Sequence, residues 1–441
     1  LFRHKNWLLL AAAACFAIVL IPALFTGSTH RTKPSGADGS AIVEPAPAEG
    51  QAEKQLRMAV SMQSKEFVQL QQLKDQFQAV HPGLNIRLEN IPDETAYSKL
   101  KKAAQLGEAP DIMLLDNNWV SEFAALGYLL PVDSMLTGGL QAEQMEQALA
   151  QVKWNGYLWG VPKQLDAYVI VYNTKKLGEW GEKPPGTTEE LVALHKQSHK
   201  VEEGKYGIYF DAPDGRSFVT LARILGGAKT VSKTAPVELT DPNVLKSLES
   251  FLFPVGEGAK DEAKPLAKSF PPESATWKPW EQLAQGKLVG YLTTFSDWKQ
   301  NESAAVTMSK IPLPGGEEPW KGPWLSGKSF SISARSESSK EAFELIRELA
   351  SASSALKFWN AAGVLPTQAN VYASGIRNDA AFKNAAFQID QDDAVPSVPQ
   401  RAKQMTALQE QLEQMWKGEA SFKTFADRTV AEWNAIRPPA K

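Results

Sequence analysis

The sequence predicts an α/β protein of two lobes, with mostly parallel sheets flanked by helices. Three observations carry this. Short apolar strands alternate with helical stripes between about residues 56 and 115, and such alternation implies parallel strands covered by helices. A second alternating region runs from about 186 to 300. The chain, at 441 residues, exceeds one usual domain, so two lobes are the natural division.

Taken in order, Trp7 to Phe25 is an uncharged apolar run preceded by Arg3, His4 and Lys5. About 20 such residues cross a bilayer, with the positive flank on the cytoplasmic side. Residues 1–25 therefore read as a signal peptide or a transmembrane signal anchor, and the membrane is an expected partner through residues 7–25. Ala12-Ala13-Ala14-Cys15 loosely resembles a lipobox. The residues after it, Phe16-Ala17-Ile18-Val19, stay apolar where a lipoprotein turns polar, so Cys15 reads as filler of the span. Residues 26–53 are rich in Gly, Ser, Pro, Ala and Glu without apolar periodicity, and read as a flexible linker.

Leu56 to Met62 opens the regular part as a strand. Phe67, Leu70, Leu73, Phe77 and Val80 then fall at mostly three- and four-residue steps, a helix stripe that ends before His81-Pro82-Gly83. Leu84, Ile86 and Leu88 alternate as a strand does. Tyr97 to Leu106 is helical with Gly107 as its cap, and Asp111 to Leu115 is a further strand. Asn155, Gly156, Tyr157, Trp159 and Gly160 form an aromatic turn ahead of Pro162. The acid Asp166 then precedes the apolar strand Tyr168 to Tyr172. Beyond it the pattern gives helix 187–199, strand 206–210, helices 217–225 and 241–252, and strand 288–294, with 254–280 dominated by loops. Phe330 to Ser333 alternates, Lys340 to Ala350 is a helix, and Gln400 to Ile436 is a helical tail.

Three stretches carry a family likeness: 103–133 (AAQLGEAPDIMLLDNNWVSEFAALGYLLPVD), 154–177 (WNGYLWGVPKQLDAYVIVYNTKKL) and 286–298 (GKLVGYLTTFSDW). In this order they resemble the signatures of the extracytoplasmic solute-binding proteins of ABC importers, in the branch containing maltose-binding protein. The resemblance spans roughly residues 55–440. It implies a type II periplasmic-binding-protein fold with a ligand cleft between lobes, an N-terminal lobe of 54–165 and 328–372, and a C-terminal lobe of 166–327 and 373–441. The chain would cross between lobes near 164–168, 322–328 and 372–378, and closure about these strands would bury the ligand. The implied role is capture of a solute, a mono- or oligosaccharide, for ABC permease subunits, by a monomer with no catalysis and no cofactor. A carbohydrate-active enzyme and a ligand-sensing ectodomain stand as alternatives. A glycosidase needs only two carboxylates about 5 or about 6.5–9.5 Å apart, and the chain has 50 acids.

Candidate ligand-binding residues follow from both readings. Asp166 places a carboxylate at a strand mouth, where it can accept hydrogen bonds from hydroxyls, and it resembles the acid of maltose-binding protein that does so. Asp116, Asn117 and Trp119 follow a strand at the end where crevices open, with helix capping by Asn117 or Asn118 as the competing role. Trp298 closes the 286–298 stretch where the family presents an aromatic to ligand; a core tryptophan is the other reading. Trp324 and Gly327 lie at the second crossing, and Gln63 follows the first strand with Ser61 and Met62. Trp154, Tyr157 and Trp159 read as packing of their turn.

Other classes are disfavoured. A net charge of −3 and a pI near 6.1 give no electrostatic reason to expect nucleic acid. One cysteine allows neither a disulfide framework nor a cysteine-based metal site. His195 and His199 are four apart but lack the intervening Glu of a zincin; they read as a surface pair, and no metal site is expected. Gly322 to Ser329 fits the P-loop pattern G-x-x-x-x-G-K-[ST]. Phe330 and Ile332 then alternate as a strand, where phosphate binding needs a helix.

Overall fold

The computed structural model describes residues 54–436 except 137–138, 182, 227–234, 255–265, 272–273, 275, 304, 310–323 and 375–396. The N-terminal span, the linker, much of 254–280, the start of the 322–329 pattern and most of the third crossing lie outside the described residues.

Thirteen strands are described: β1 Lys54–Val60, β2 Leu84–Asn90, β3 Ile112–Asp116, β4 Lys153–Trp154, β5 Tyr157–Leu158, β6 Val161–Asp166, β7 Tyr168–Asn173, β8 His199–Lys200, β9 Lys205–Tyr206, β10 Ile208–Phe210, β11 Gly290–Thr294, β12 Val306–Ser309 and β13 Ser326–Ile332. Nine of them build two sheets, ordered β2-β1-β3-β13-β6 and β10-β11-β7-β12; the other four form two small hairpins. In the first sheet β1 pairs in parallel with β2 and β3, while β13 is antiparallel to both β3 and β6. In the second, β10 and β11 are parallel and β7 is antiparallel to β11 and β12. Each sheet thus runs one way except for a single reversed strand. Both reversed strands start where the chain enters a new sheet from the other.

Each sheet has its own core. Around the first pack Leu56, Val60, Leu70, Leu114, Phe123 and Phe330; around the second, Val169, Val171, Phe210, Phe218, Phe251 and Trp433. Full burial of one such side chain stabilises by about 1.5–3 kcal/mol, so each core can hold a lobe together. Helix Ser64–Ala79 buries Leu70, Leu73 and Phe77 as the stripe predicts. Val80, the last residue of that stripe, is the C-cap and is exposed.

Two expected elements are split. Strand 206–210 divides between β9 and β10 at Gly207, whose φ of +61° breaks the extended run. The helical tail becomes helices Arg401–Lys417 and Phe422–Ile436, separated by Gly418 in the left-handed conformation that ends a helix. These two pack on each other, and Trp433 Nε1 donates to the Gln404 carbonyl at 2.9 Å.

Candidate functional site

A cavity of about 910 Å³ opens where the C-terminal ends of β1, β2, β3, β6 and β11 converge with the starts of β7 and β13. Ser61, Asn90, Asp116 and Lys328 face it from the side of the first sheet, and Tyr168, Arg216 and Ser296 from that of the second. This is the edge at which α/β sheets hold ligands, because strand ends and helix starts leave their backbone and polar groups there.

Asp166 ends β6 and lines the cavity, and one residue, Ala167, separates β6 from β7. Its Oδ1 accepts from the Ser296 backbone N–H at 3.1 Å and its Oδ2 from the Ser296 hydroxyl at 2.5 Å. Burial pushes its pKa up to about 6, against the downward pull of the Ser296 hydrogen bonds. The neighbouring Tyr168 hydroxyl donates to Asp214 Oδ2 at 3.1 Å.

Asp116 also faces the cavity, and its capacity is largely spoken for. It caps helix Asn117–Ala125, with Oδ1 accepting from Asn118 N–H at 3.0 Å, and its Oδ2 meets Arg216 Nη2 at 2.5 Å. The cap is therefore Asp116, not Asn117 or Asn118. Asn117 itself is buried off the cavity wall, donating to Gln151 Oε1 at 2.8 Å and accepting from the Ser329 hydroxyl at 2.6 Å. Trp119 is half-buried on the wall, with the Tyr97 ring 5.3 Å away and tilted by 53°. Gln63 is on the wall and exposed, at the start of helix Ser64–Ala79. Gly327 is there for its bareness: a Cβ would come within 2.5 Å of the Gln164 carbonyl and 2.6 Å of Asn117 Nδ2.

The two remaining tryptophans do not reach the cavity. Trp298 is 4 % and Trp324 1 % exposed, both in the second core. Helix Phe295–Gln300 explains the first. Ser296 and Gln300, four apart, share the face that lines the cavity, so Trp298 between them turns inward, against Phe295 at 5.3 Å. The histidines need a similar correction. His195 and His199 are buried, not a surface pair, and His195 stacks on Phe251 at 3.9 Å. Among the described residues no group of three or more His, Cys, Asp or Glu is placed to hold a metal ion.

Sequence reasoning missed Arg216, Tyr97 and Ser296. It met Lys328 only as the lysine of the P-loop pattern. Lys328 sits inside strand β13, with Nζ donating to the Ser61 carbonyl at 2.8 Å and to Asp93 Oδ1 at 3.1 Å; no helix follows it. Glu66 on the wall forms a buried ion pair with Lys163 behind it, and Lys163 Nζ also donates to Gln164 Oε1 at 2.7 Å and lies 4.0 Å above the Phe358 ring. Only Tyr97 carried a usable local signal, as an aromatic starting a predicted helix close to a strand end.

Residues 72–388 match the family model described as bacterial extracellular solute-binding protein. The chain belongs to that family. Among its relatives, the maltotriose-binding protein of Pyrococcus abyssi is 27 % identical over 192 residues, which is 43 % of this chain and 41 % of the relative. The match thus spans less than half the length of that relative. Two solved structures share the fold of this solute-binding protein. The maltose/maltodextrin-binding domain of Bdellovibrio bacteriovorus bound to maltotriose is 18 % identical, with a TM-score of 0.70 over 87 % of this chain and 99 % of that one. The GacH receptor of Streptomyces glaucescens, solved unliganded and with acarbose, is 19 % identical, with a TM-score of 0.70 over 88 % and 99 %.

Proposed function

We propose that this chain is the extracytoplasmic substrate-binding component of an ABC importer, and that it takes a mono- or oligosaccharide into the cleft by lobe closure. The observation that carries this reading is the cleft wall itself. It offers one aromatic platform, Trp119 beside Tyr97, and a ring of hydrogen-bonding groups that includes Asp166, Asn90 and Gln164. A pyranose has an apolar C–H face to stack and hydroxyls to donate, and the wall meets both needs. The names of the relatives point the same way. Asp166, Trp119, Gln63 and Gly327 are the proposed ligand contacts from the sequence; Ser296 and Tyr97 join them. The lobes divide at Asp166 and near Gly327, the permease subunits receive the ligand, the protein acts as a monomer, and the apolar run 7–25 tethers it to the membrane through the linker.

The test is native purification followed by mass spectrometry of retained ligand, then titration with a saccharide panel. A binder returns its saccharide unchanged. Trp119→Ala should weaken binding by roughly five- to thirty-fold, the equivalent of about 1–2 kcal/mol of lost stacking. Hydrolysed product, or wild-type affinity in Trp119→Ala, would count against this site.

A further inference from the structure

We propose that Asp116 and Arg216 form a clasp across the cleft that raises affinity for an uncharged saccharide by holding the lobes together. The inference rests on the cleft being the ligand site. Asp116 belongs to the first sheet, at the end of β3, and is 4 % exposed. Arg216 is the second residue of helix Gly215–Gly226, whose Phe218, Val219 and Leu221 lie in the second core. The guanidinium reaches 2.5 Å from Asp116 Oδ2 across the cavity. The other ion pairs among the described residues join groups on one side of the cleft, such as Lys328 with Asp93 and Lys163 with Glu66.

Both ends are anchored. Asp116 keeps its other oxygen on Asn118 N–H as the helix cap. Asp214, on the Arg216 side, accepts from the Arg216 and Ser217 backbone N–H groups at 3.2 and 3.0 Å. Burial works against the Arg216 charge, and Asp116 and Asp214 together more than restore it. One guanidinium faces two carboxylates, so an anionic ligand finds no unclaimed positive charge there. Lys328, the other cation on the wall among the described residues, is likewise bound to Asp93 and the Ser61 carbonyl. The clasp acts beside other links between the two sides, among them the packing of helix Asn117–Ala125 on helix Arg401–Lys417 and the hydrogen bonds from Ser296 to Asp166.

The test is a double-mutant cycle on affinity for whichever uncharged saccharide of a mono- to tetrasaccharide panel binds most tightly. Asp116→Asn keeps a good cap while removing the charge, and Arg216→Met keeps most of the stem. Each should weaken binding about ten-fold with melting temperature little changed. The double variant should be no weaker than the weaker single by more than about two-fold, because the two residues act as one unit. Additive losses, no loss, or a loss confined to Arg216→Met overturns the clasp; the last makes Arg216 a direct ligand contact. If no saccharide binds, the functional reading fails instead. The clasp is then judged by the interlobe distance distribution between paired dyes, which should widen equally in both single variants. An unchanged distribution sinks it.

Discussion

Asp166 holds its proton more tightly in the folded protein than a free carboxyl does, with a pKa near 6. As a ligand contact it must be ionised to accept hydrogen bonds at full strength. Affinity should therefore be level above pH 6 and fall as pH drops through it, and Asp166→Asn should flatten that profile. Isothermal titration from pH 7.5 to 5 measures it; a flat wild-type profile would remove Asp166 from the contacts. Stability moves the other way, since the cost of ionising Asp166 in the fold is full above pH 6 and gone below its unfolded value near 3.8. Trp298→Ala separates site from core. It should lower stability by about 3–5 kcal/mol while leaving saccharide affinity near that of wild type, read by denaturant melts beside titrations. At this scale Asp166 was legible because its signal is local, a lone acid before an apolar strand. Arg216 was not, because its partner Asp116 is 100 positions away and nothing in the local pattern marks a side chain that will meet a distant strand end.

At the scale of the element, periodicity served the strands and long helices well, since one buried face writes itself into every second or every third and fourth residue. It served short elements badly. Six residues, Phe295–Gln300, are too few to show which side is buried, so the pattern does not decide between ligand and core for Trp298. Helix Thr188–Ser198 gives the sharper lesson, because His195 counts as polar in a pattern yet is a core residue. Its Nδ1 accepts from Ile208 N–H at 3.1 Å, and its Nε2 is 3.1 Å from the Phe251 carbonyl, which needs the proton there. That geometry demands a neutral ring. Burial pushes its pKa well below the ordinary value, with the adjacent His199 adding to the fall. The unfolded chain thus takes up a proton near pH 6.5 that the folded one refuses, so stability conferred by the neutral ring is full above 6.5 and is lost below it, by about 1.4 kcal/mol per pH unit. Chemical denaturation at pH 7 and 5.5 should show a smaller pH-dependent loss in His195→Gln than in wild type. Equal losses would place the acid sensitivity elsewhere.

The whole molecule was legible in outline because two alternating regions in one long chain leave few architectures open. What the pattern did not disclose is how the sheets are completed. β13 lies between β3 and β6, pairing with both, and Ser326 at its start hydrogen-bonds to the Asp166 carbonyl 160 positions back. Until β13 arrives, β3 and β6 have edges with nothing between them. A chain made from its N-terminus therefore has its first sheet unfinished until Ser326–Ile332 has been made, and the gap is closed only by a long-range pairing of the kind that forms slowly. In refolding followed by pulsed hydrogen exchange, the amides of β3 and β6 that bond to β13 should gain protection together with β13 and not before. Early protection of those amides alone would refute this. The reversed strand is thus also a timing device. A protein of an extracellular family has to leave the cytoplasm, and its first sheet cannot be completed on any part of the chain that stops short of β13.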